Sequence, residues 1–417
     1  MILSRVPKTG RGYFEVSKMI EKGIIERIYE AASIQRWNDH VRPVELTELD
    51  KQAHKMLIAF VLAKYEADER NAAINWLGLI EGGLFEFLHR LILTDIKPPV
   101  FHQMMRRKGR ELNEWVLEKL EPDIKGIKGD FSERFREYLL GDQQRYRIER
   151  KILRAAHYLA TNWEFKIIYT MNPFIYGIER TKEEIENEIE DYLDLSGVQK
   201  ILLGKKSFGF IDLCGQLRFQ QRWAQSPRLP KTSVLGHMLI VAILVYLCSL
   251  EIGACERRIY NNYFSALFHD LPEVLTRDIV SPVKSSIKGL QDLIKEYEEI
   301  QVEERILPLL PRAWHDEIRF FVEDEFENKI IKEGKVVKGL SSEEISEKYN
   351  HDRFNPLDGK LVKVCDNLAA FIEASLSIKY GVKSPHLVEG KKRIQEMYQG
   401  QTIAGIDFDA IFKYFAE

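Results

Sequence analysis

The chain has 417 residues, 45% hydrophobic and 30% charged, a globular composition long enough for two cores. Its formal net charge of −3 leaves no basic excess for a nucleic-acid partner. Its 14 prolines and 25 glycines are scattered, which argues against a low-complexity or disordered tract.

The opening stretch, MILSRVPKTGRGYF, has no apolar core of the kind a signal peptide carries. Apolar residues then recur three and four apart in Gln52–Tyr65, Glu111–Leu120, Arg147–Ile168, Leu290–Leu310 and Lys360–Ile378, which predicts helix in each. The acidic run Arg180–Leu195 reads as a solvated helix joining two halves. The apolar run Met238–Leu250 falls short of the ~20 residues that span a bilayer. It reads as a buried core helix with His237 in its first turn. Gly, Ser and Asn clusters in Ile330–Pro356 predict a small hairpin and loop insertion. Cys214, Cys248, Cys255 and Cys365 form no C-x-x-C pair, and free thiols in a reducing cytoplasm are expected.

Landmarks recur along the chain. Gln35-Arg36-Trp37 precedes His54, then Leu88-His89-Arg90 and Thr94-Asp95-Ile96. Gln221-Arg222-Trp223 precedes His237, then Phe268-His269-Asp270 and Asp278-Ile279. The segment 152–160, with His157, aligns without gaps to 361–369, with Asp366. The order of these matches suggests a duplicated helical unit.

One cluster of residues suits a divalent cation, which takes imidazole nitrogen and carboxylate oxygen. His269-Asp270 ends an apolar helical segment, and Pro272 disfavours helix at Leu271. His237 opens one apolar helix and Asp366 lies inside another. A single His on an apolar helix is more often a satisfied core histidine, and His315-Asp316 and His351-Asp352 are further His-Asp pairs. The dipeptide alone therefore does not choose among them.

The stretch RW-x13-H, then HDLPEVLTRDIVSPVK, then LVKVCDNLAAFIEA resembles the bacterial HD-domain 5′-deoxynucleotidases, over about 209–378. That family carries HD-x-x-E-x-x-x-x-D followed by Pro-x-Lys, matched here by His269, Asp270, Glu273, Asp278, Pro282 and Lys284. Its Arg-Trp pair stands fifteen residues before the first metal histidine, as Arg222 does before His237. With the helical periodicity and the internal repeat, the resemblance leads to an expected all-α fold of two tandem HD-like helical bundles with a small hairpin insertion in the second. Residues 1–190 would be a degenerate, non-catalytic copy and 191–417 the catalytic domain. It implies one divalent metal (Mn, Co, Fe, Ni, Zn or Mg) on His237, His269, Asp270 and Asp366. Glu273 would position or deprotonate water, and Arg222 would bind phosphate. Trp223 and Asp278 would stand on the sugar side, and Lys284 would offer a second phosphate contact.

The activity so implied is phosphate removal from a nucleoside 5′-monophosphate, with a deoxy preference. The alternatives are another small phosphoester or a nucleotide-sensing regulatory protein. The expected partners are a small nucleotide or phosphoester substrate, without nucleic acid or membrane. The expected state is a monomer with an internal pseudo-dimer, or a homodimer. The chain departs from the family in its length, about twice the usual, and in Gly236 and Met238, which flank His237 where polar neighbours are usual. In the first half Arg90 stands for Asp270, His157 for Asp366, and Leu91-Ile92-Leu93 where Glu273 should be. No catalytic metal is expected there, although His54, His89 and His157 could together offer three imidazoles.

Overall fold

A computed structural model describes residues 20–279, 283 and 287–416. The chain is helical almost throughout, as the periodicity predicts. Helices α1 (Lys22–Glu30), α2 (Glu48–Arg70), α3 (Trp76–Leu93), α4 (Pro98–Ile124), α5 (Phe131–Leu140) and α6 (Arg147–Met171) form the first half. Helix α7 (Ile178–Glu190) is the acidic segment; it buries Ile178, Ile185 and Ile189 and leaves most of its charged residues toward solvent. Helices α8 (Ser196–Leu202) and α9 (Lys206–Gln216) lead into the second half.

The second half is built on α10 (Val234–Glu251), α11 (Glu256–Phe268), the single turn α12 (Glu273–Thr276), α13 (Leu290–Gln301) and α14 (His315–Val322). It closes with α15 (Gly359–Lys379), α16 (Pro385–Met397) and α17 (Phe408–Ala416). The expected hairpin is present. Strands β1 (Asn328–Lys332) and β2 (Lys335–Lys338) pair antiparallel, and β3 (Leu357–Asp358) adds to β1. Glu333 and Gly334 both hold positive φ, as a two-residue hairpin turn requires. A second short pair, Thr402–Ile403 with Ile406–Asp407, was not foreseen. Helix ends at Gln301 in the predicted run Leu290–Leu310, and the backbone continues as π and 3-10 turns to Leu309.

Helix α10 packs on α11, α15 and α2. It is longer than its apolar run suggests, long and apolar enough to cross a membrane, yet 94% of that window is buried. Every residue from Val234 to Leu250 is buried, so protein surrounds it on all sides. The four cysteines are free thiols.

The approaches to α2 and α10 match feature by feature. Gln35 bridges Thr47, and Gln221 bridges Ser233. The Arg36 amide donates to the Leu46 carbonyl, and the Arg222 amide to the Thr232 carbonyl. Trp37 and Trp223 both adopt left-handed backbone, at φ 55° and 57°. Thr47 and Ser233 are N-caps, accepting from the amides of Asp50 and Gly236. Four residues past each cap stand Lys51 and His237, so Lys51, and not His54, occupies the place of His237. His54 lies almost one turn further on, hydrogen-bonded to the Ile211 carbonyl and to Arg218.

The two matching helices touch at this end. Ser233 Oγ donates to Asp50 Oδ1. A Cβ on Gly236 would sit 2.9 Å from Leu49 Cδ2 and 3.0 Å from Asp50 Oδ1, so glycine is what lets α2 approach. Two further links run in opposite directions. Tyr29 Oη donates to the Ala369 carbonyl on α15 at 2.8 Å, and Arg218 Nη1 donates to Glu164 on α6 at 2.9 Å.

Candidate metal and phosphate site

Helix α11 stops at Phe268, and His269 and Asp270 follow in the turn before Pro272. The His269 ring is fixed by its Nδ1–H, which donates to the Ala266 carbonyl at 2.7 Å. That bond leaves Nε2 as the ring's acceptor, facing Asp270 Oδ2 at 3.2 Å. Neither of these buried atoms has a hydrogen-bond partner. His237 lies on α10, with ring centroids 5.7 Å from His269. Ligand atoms of His237, His269 and Asp270 fall within 4.8 Å of one another. Asp366, on α15, is not in that set of three but stands beside it, with Oδ1 at 3.1 Å from His237 Nε2. Two imidazoles and two carboxylates on two helices and the turn after a third, two of their buried atoms facing each other unsatisfied, fit a borderline divalent cation.

The charges support that fit. Burial works against protonated His269, but Asp270 outweighs it and pushes the ring up to about 8. Burial likewise opposes ionised Asp270 and Asp366. The histidines and Arg222 hold Asp270 low, and Lys363 with the histidines holds Asp366 low, so both carboxylates stay charged.

Arg222 stands beside these ligands with its side chain 14% exposed. It lies 3.5 Å from Asp278, 3.8 Å from Asp270 and 3.9 Å from Asp366, close to three carboxylates but tightly paired with none. Glu273 opens α12 directly after the His-Asp turn and is 5% exposed. Asp278 follows on the same wall. Lys284 and Pro282 lie outside the described residues. Among the described residues His54, His89 and His157 do not converge: they bond to Ile211 and Arg218, to Asn113, and to Lys51. His315 and His351 are likewise apart from the ligand group.

Two residues of this site were not singled out from sequence. Lys363 lies one turn before Asp366 and donates to its Oδ2 at 3.0 Å. Glu373, two turns after Asp366, is fully buried. It accepts from Trp223 Nε1 at 3.0 Å and Thr232 Oγ1 at 2.6 Å, with Arg228 Nη1 at 3.3 Å. Its Oε1 faces His237 Nδ1 at 3.6 Å, ion-pair rather than hydrogen-bond range. A carboxylate on that side favours Nδ1–H and leaves Nε2 of His237 toward Asp366. The outer support of His237 thus comes from α15 and not from its chain neighbours Gly236 and Met238. Glu164 takes the same place on α6, accepting from Trp37 Nε1 at 3.0 Å.

The fold and this residue set define a helical domain with a candidate His-Asp cation site. Residues 214–395 match the family described as HD domain, so the second half of the chain carries an HD domain. A 5′-deoxynucleotidase of Vibrio atlanticus is 28% identical over 209 residues, covering 49% of this chain and 91% of that protein. A 5′-deoxynucleotidase of Vibrio vulnificus is 27% identical over 131 residues, 28% of this chain and 64% of its own length. A dATP triphosphohydrolase of Acinetobacter phage SH-Ab 15497 is 37% identical over 82 residues, 17% of this chain and 40% of its own length.

Proposed function

We propose that the protein is a metal-dependent phosphohydrolase that removes phosphate from a nucleoside 5′-monophosphate, preferring the deoxy sugar. One observation carries this reading: two imidazoles and the Asp270 carboxylate converge, with Asp366 against His237, beside an arginine that no carboxylate holds tightly. The names of the relatives support nucleotides as the substrate class.

His237, His269, Asp270 and Asp366 would hold a single divalent ion. Such an ion neutralises phosphate charge and lowers the pKa of water toward ~7 to 9. Glu273 accepts or orients the proton of the attacking water. Arg222 binds the phosphate through its fork and stabilises charge on the equatorial oxygens. Trp223 and Asp278 form the sugar side, where a 2′-hydroxyl is tested, and Lys284 is a second phosphate contact. Residues 191–417 are the catalytic unit, and 1–190 a copy of it that has lost its ligands. The free thiols suit a reducing cytoplasm.

The test is phosphate release from ribo- and deoxynucleoside monophosphates with Mn²⁺, Co²⁺ and Mg²⁺. Release from deoxynucleotides that vanishes in Asp270→Ala is the expected result. No release from any nucleotide rejects the reading, and release that survives Asp270→Ala rejects the site. The phage relative favours one second reading, hydrolysis of a deoxynucleoside triphosphate, which adding dATP to the panel and assaying for tripolyphosphate beside phosphate separates from the first.

A further inference from the structure

Asp366 presents its two oxygens to different neighbours. Oδ1 faces His237 Nε2 at 3.1 Å, with Arg222 at 3.9 Å. Oδ2 instead accepts from Lys363 Nζ at 3.0 Å. Both residues lie on α15, one turn apart. The ammonium of Lys363 has a second anchor: it sits over the Phe326 ring, 4.1 Å from its centre. Phe326, in the loop between α14 and β1, in turn meets His269, with ring centroids 6.2 Å apart. The contacts run from Asp366 to Lys363, to Phe326, to His269. His237 joins the two ends, because its ring lies 5.7 Å from His269 and its Nε2 faces Asp366.

An ion pair between residues three apart on an open helix surface contributes little and is screened by salt. This pair differs in two ways. Its acceptor is a candidate metal ligand whose side chain is only 13% exposed. Its ammonium is held from two sides, by a carboxylate and by an aromatic face, whose quadrupole attracts a cation. The Lys363 side chain itself is 44% exposed, so the core does not depend on it.

We propose that Lys363 is a positioning residue of the cation site: anchored on Phe326, it holds Asp366 by Oδ2 and leaves Oδ1 as the one oxygen turned toward His237. The inference rests on the reading of His237, His269, Asp270 and Asp366 as metal ligands. A ligand carboxylate fixed by an outer donor is ordered before the ion arrives, and such partners set metal affinity. Without that donor Asp366 keeps its place on α15, but its carboxylate is free to rotate and binding must order it.

The test is calorimetric titration of the full-length chain, stripped of metal by a chelator, with Mn²⁺ and Co²⁺. Lys363→Met keeps an apolar stem over Phe326 and removes the charge and the donor. Its metal affinity should fall about 10- to 100-fold, while its melt without metal matches the parent's. Lys363→Arg restores a charged donor and should recover most of the loss. Phe326→Leu removes only the anchor and should show a smaller loss. At saturating metal the KM for dAMP should not move in Lys363→Met. Unchanged metal affinity in Lys363→Met overturns the proposal. So does a raised KM at unchanged affinity, which would make Lys363 a contact to the substrate. A loss that Lys363→Arg leaves unrecovered, or a metal-free melt well below the parent's, overturns it too, since the charged donor would then not be what acts on Asp366. Metal binding by the parent without turnover of any nucleotide rejects the nucleotidase reading and leaves the role of Lys363 to be decided by the titration alone. A parent that binds neither ion rejects the metal site and this inference with it.

Discussion

Glu373 supports the site from behind His237. Its carboxylate joins His237, Trp223, Thr232 and Arg228, and burial opposes its charge while Arg228 and His237 hold it ionised. Glu373→Gln keeps an acceptor for Trp223 but removes the charge behind His237. Metal affinity should fall about 10- to 100-fold with the fold intact, read by metal titration alongside kcat and KM. Glu373→Ala also strands buried Arg228 and should cost about 3–5 kcal/mol in a denaturant melt. Glu48 gives a pH prediction. Burial opposes its charge, but Arg36, Lys51 and Arg90 outweigh it and lower the carboxyl from 4.5 to about 2. A depressed carboxyl stabilises the fold above its unfolded pKa, so its contribution is complete above pH 4.5 and lost as pH falls toward 2. The size is on the order of 3 kcal/mol at neutral pH. Glu48→Gln should flatten the acid limb of stability in that window; an unchanged limb would show that Arg36 and Arg90 do not act on it.

At the scale of the helix, the cap is what sets register. The distance from Arg to its partner on the following helix is fifteen residues in both halves, Arg36 to Lys51 and Arg222 to His237. Matching histidine to histidine instead puts His54 in the place of His237 and misses Lys51. The four candidate ligands of the second half were legible only through the family resemblance; of them His237 lies by a helix start and His269-Asp270 at a helix end, while Asp366 sits inside a helix with no local mark. Glu373 was not, since a lone Glu on an apolar helix has no local signature; what marks it is Glu164 at the same two-turn offset from His157. The hairpin was legible from its turn residues, while Thr402–Ile403 with Ile406–Asp407 is too short to show alternation. Gly236 reads as an oddity beside His237 until α2 is seen against it. Gly236→Ala should push Leu49 and Asp50 away and lower stability by about 1–3 kcal/mol, despite alanine's better helix propensity. A variant as stable as the parent would mean that the α2–α10 contact is slack.

At the scale of the molecule, the halves lend each other parts. Tyr29 of the first half reaches α15, which carries Asp366 and Glu373, and Arg218 of the second half reaches Glu164. Asp50 meets the cap of the helix bearing His237. On the proposed reading of two copies, the first half would stand in for a dimer partner. Residues 191–417 expressed alone should be poorly soluble or form dimers through the bare face of α10. A stable, monomeric and fully active fragment, judged by light scattering and turnover, would sink that view.

Helix α10 also bears on how the chain is made. Its apolar window has a mean hydropathy of 2.1, and its partners α11 and α15 follow it in sequence. As it leaves the ribosome, those later covers do not yet exist. Helix α2 does, because the first half has already been synthesised and domains fold largely in that order. The first half is a cover laid down in advance for the most aggregation-prone segment of the second. Reversing the order of the halves by circular permutation should leave the finished contacts unchanged and lower the yield of soluble protein.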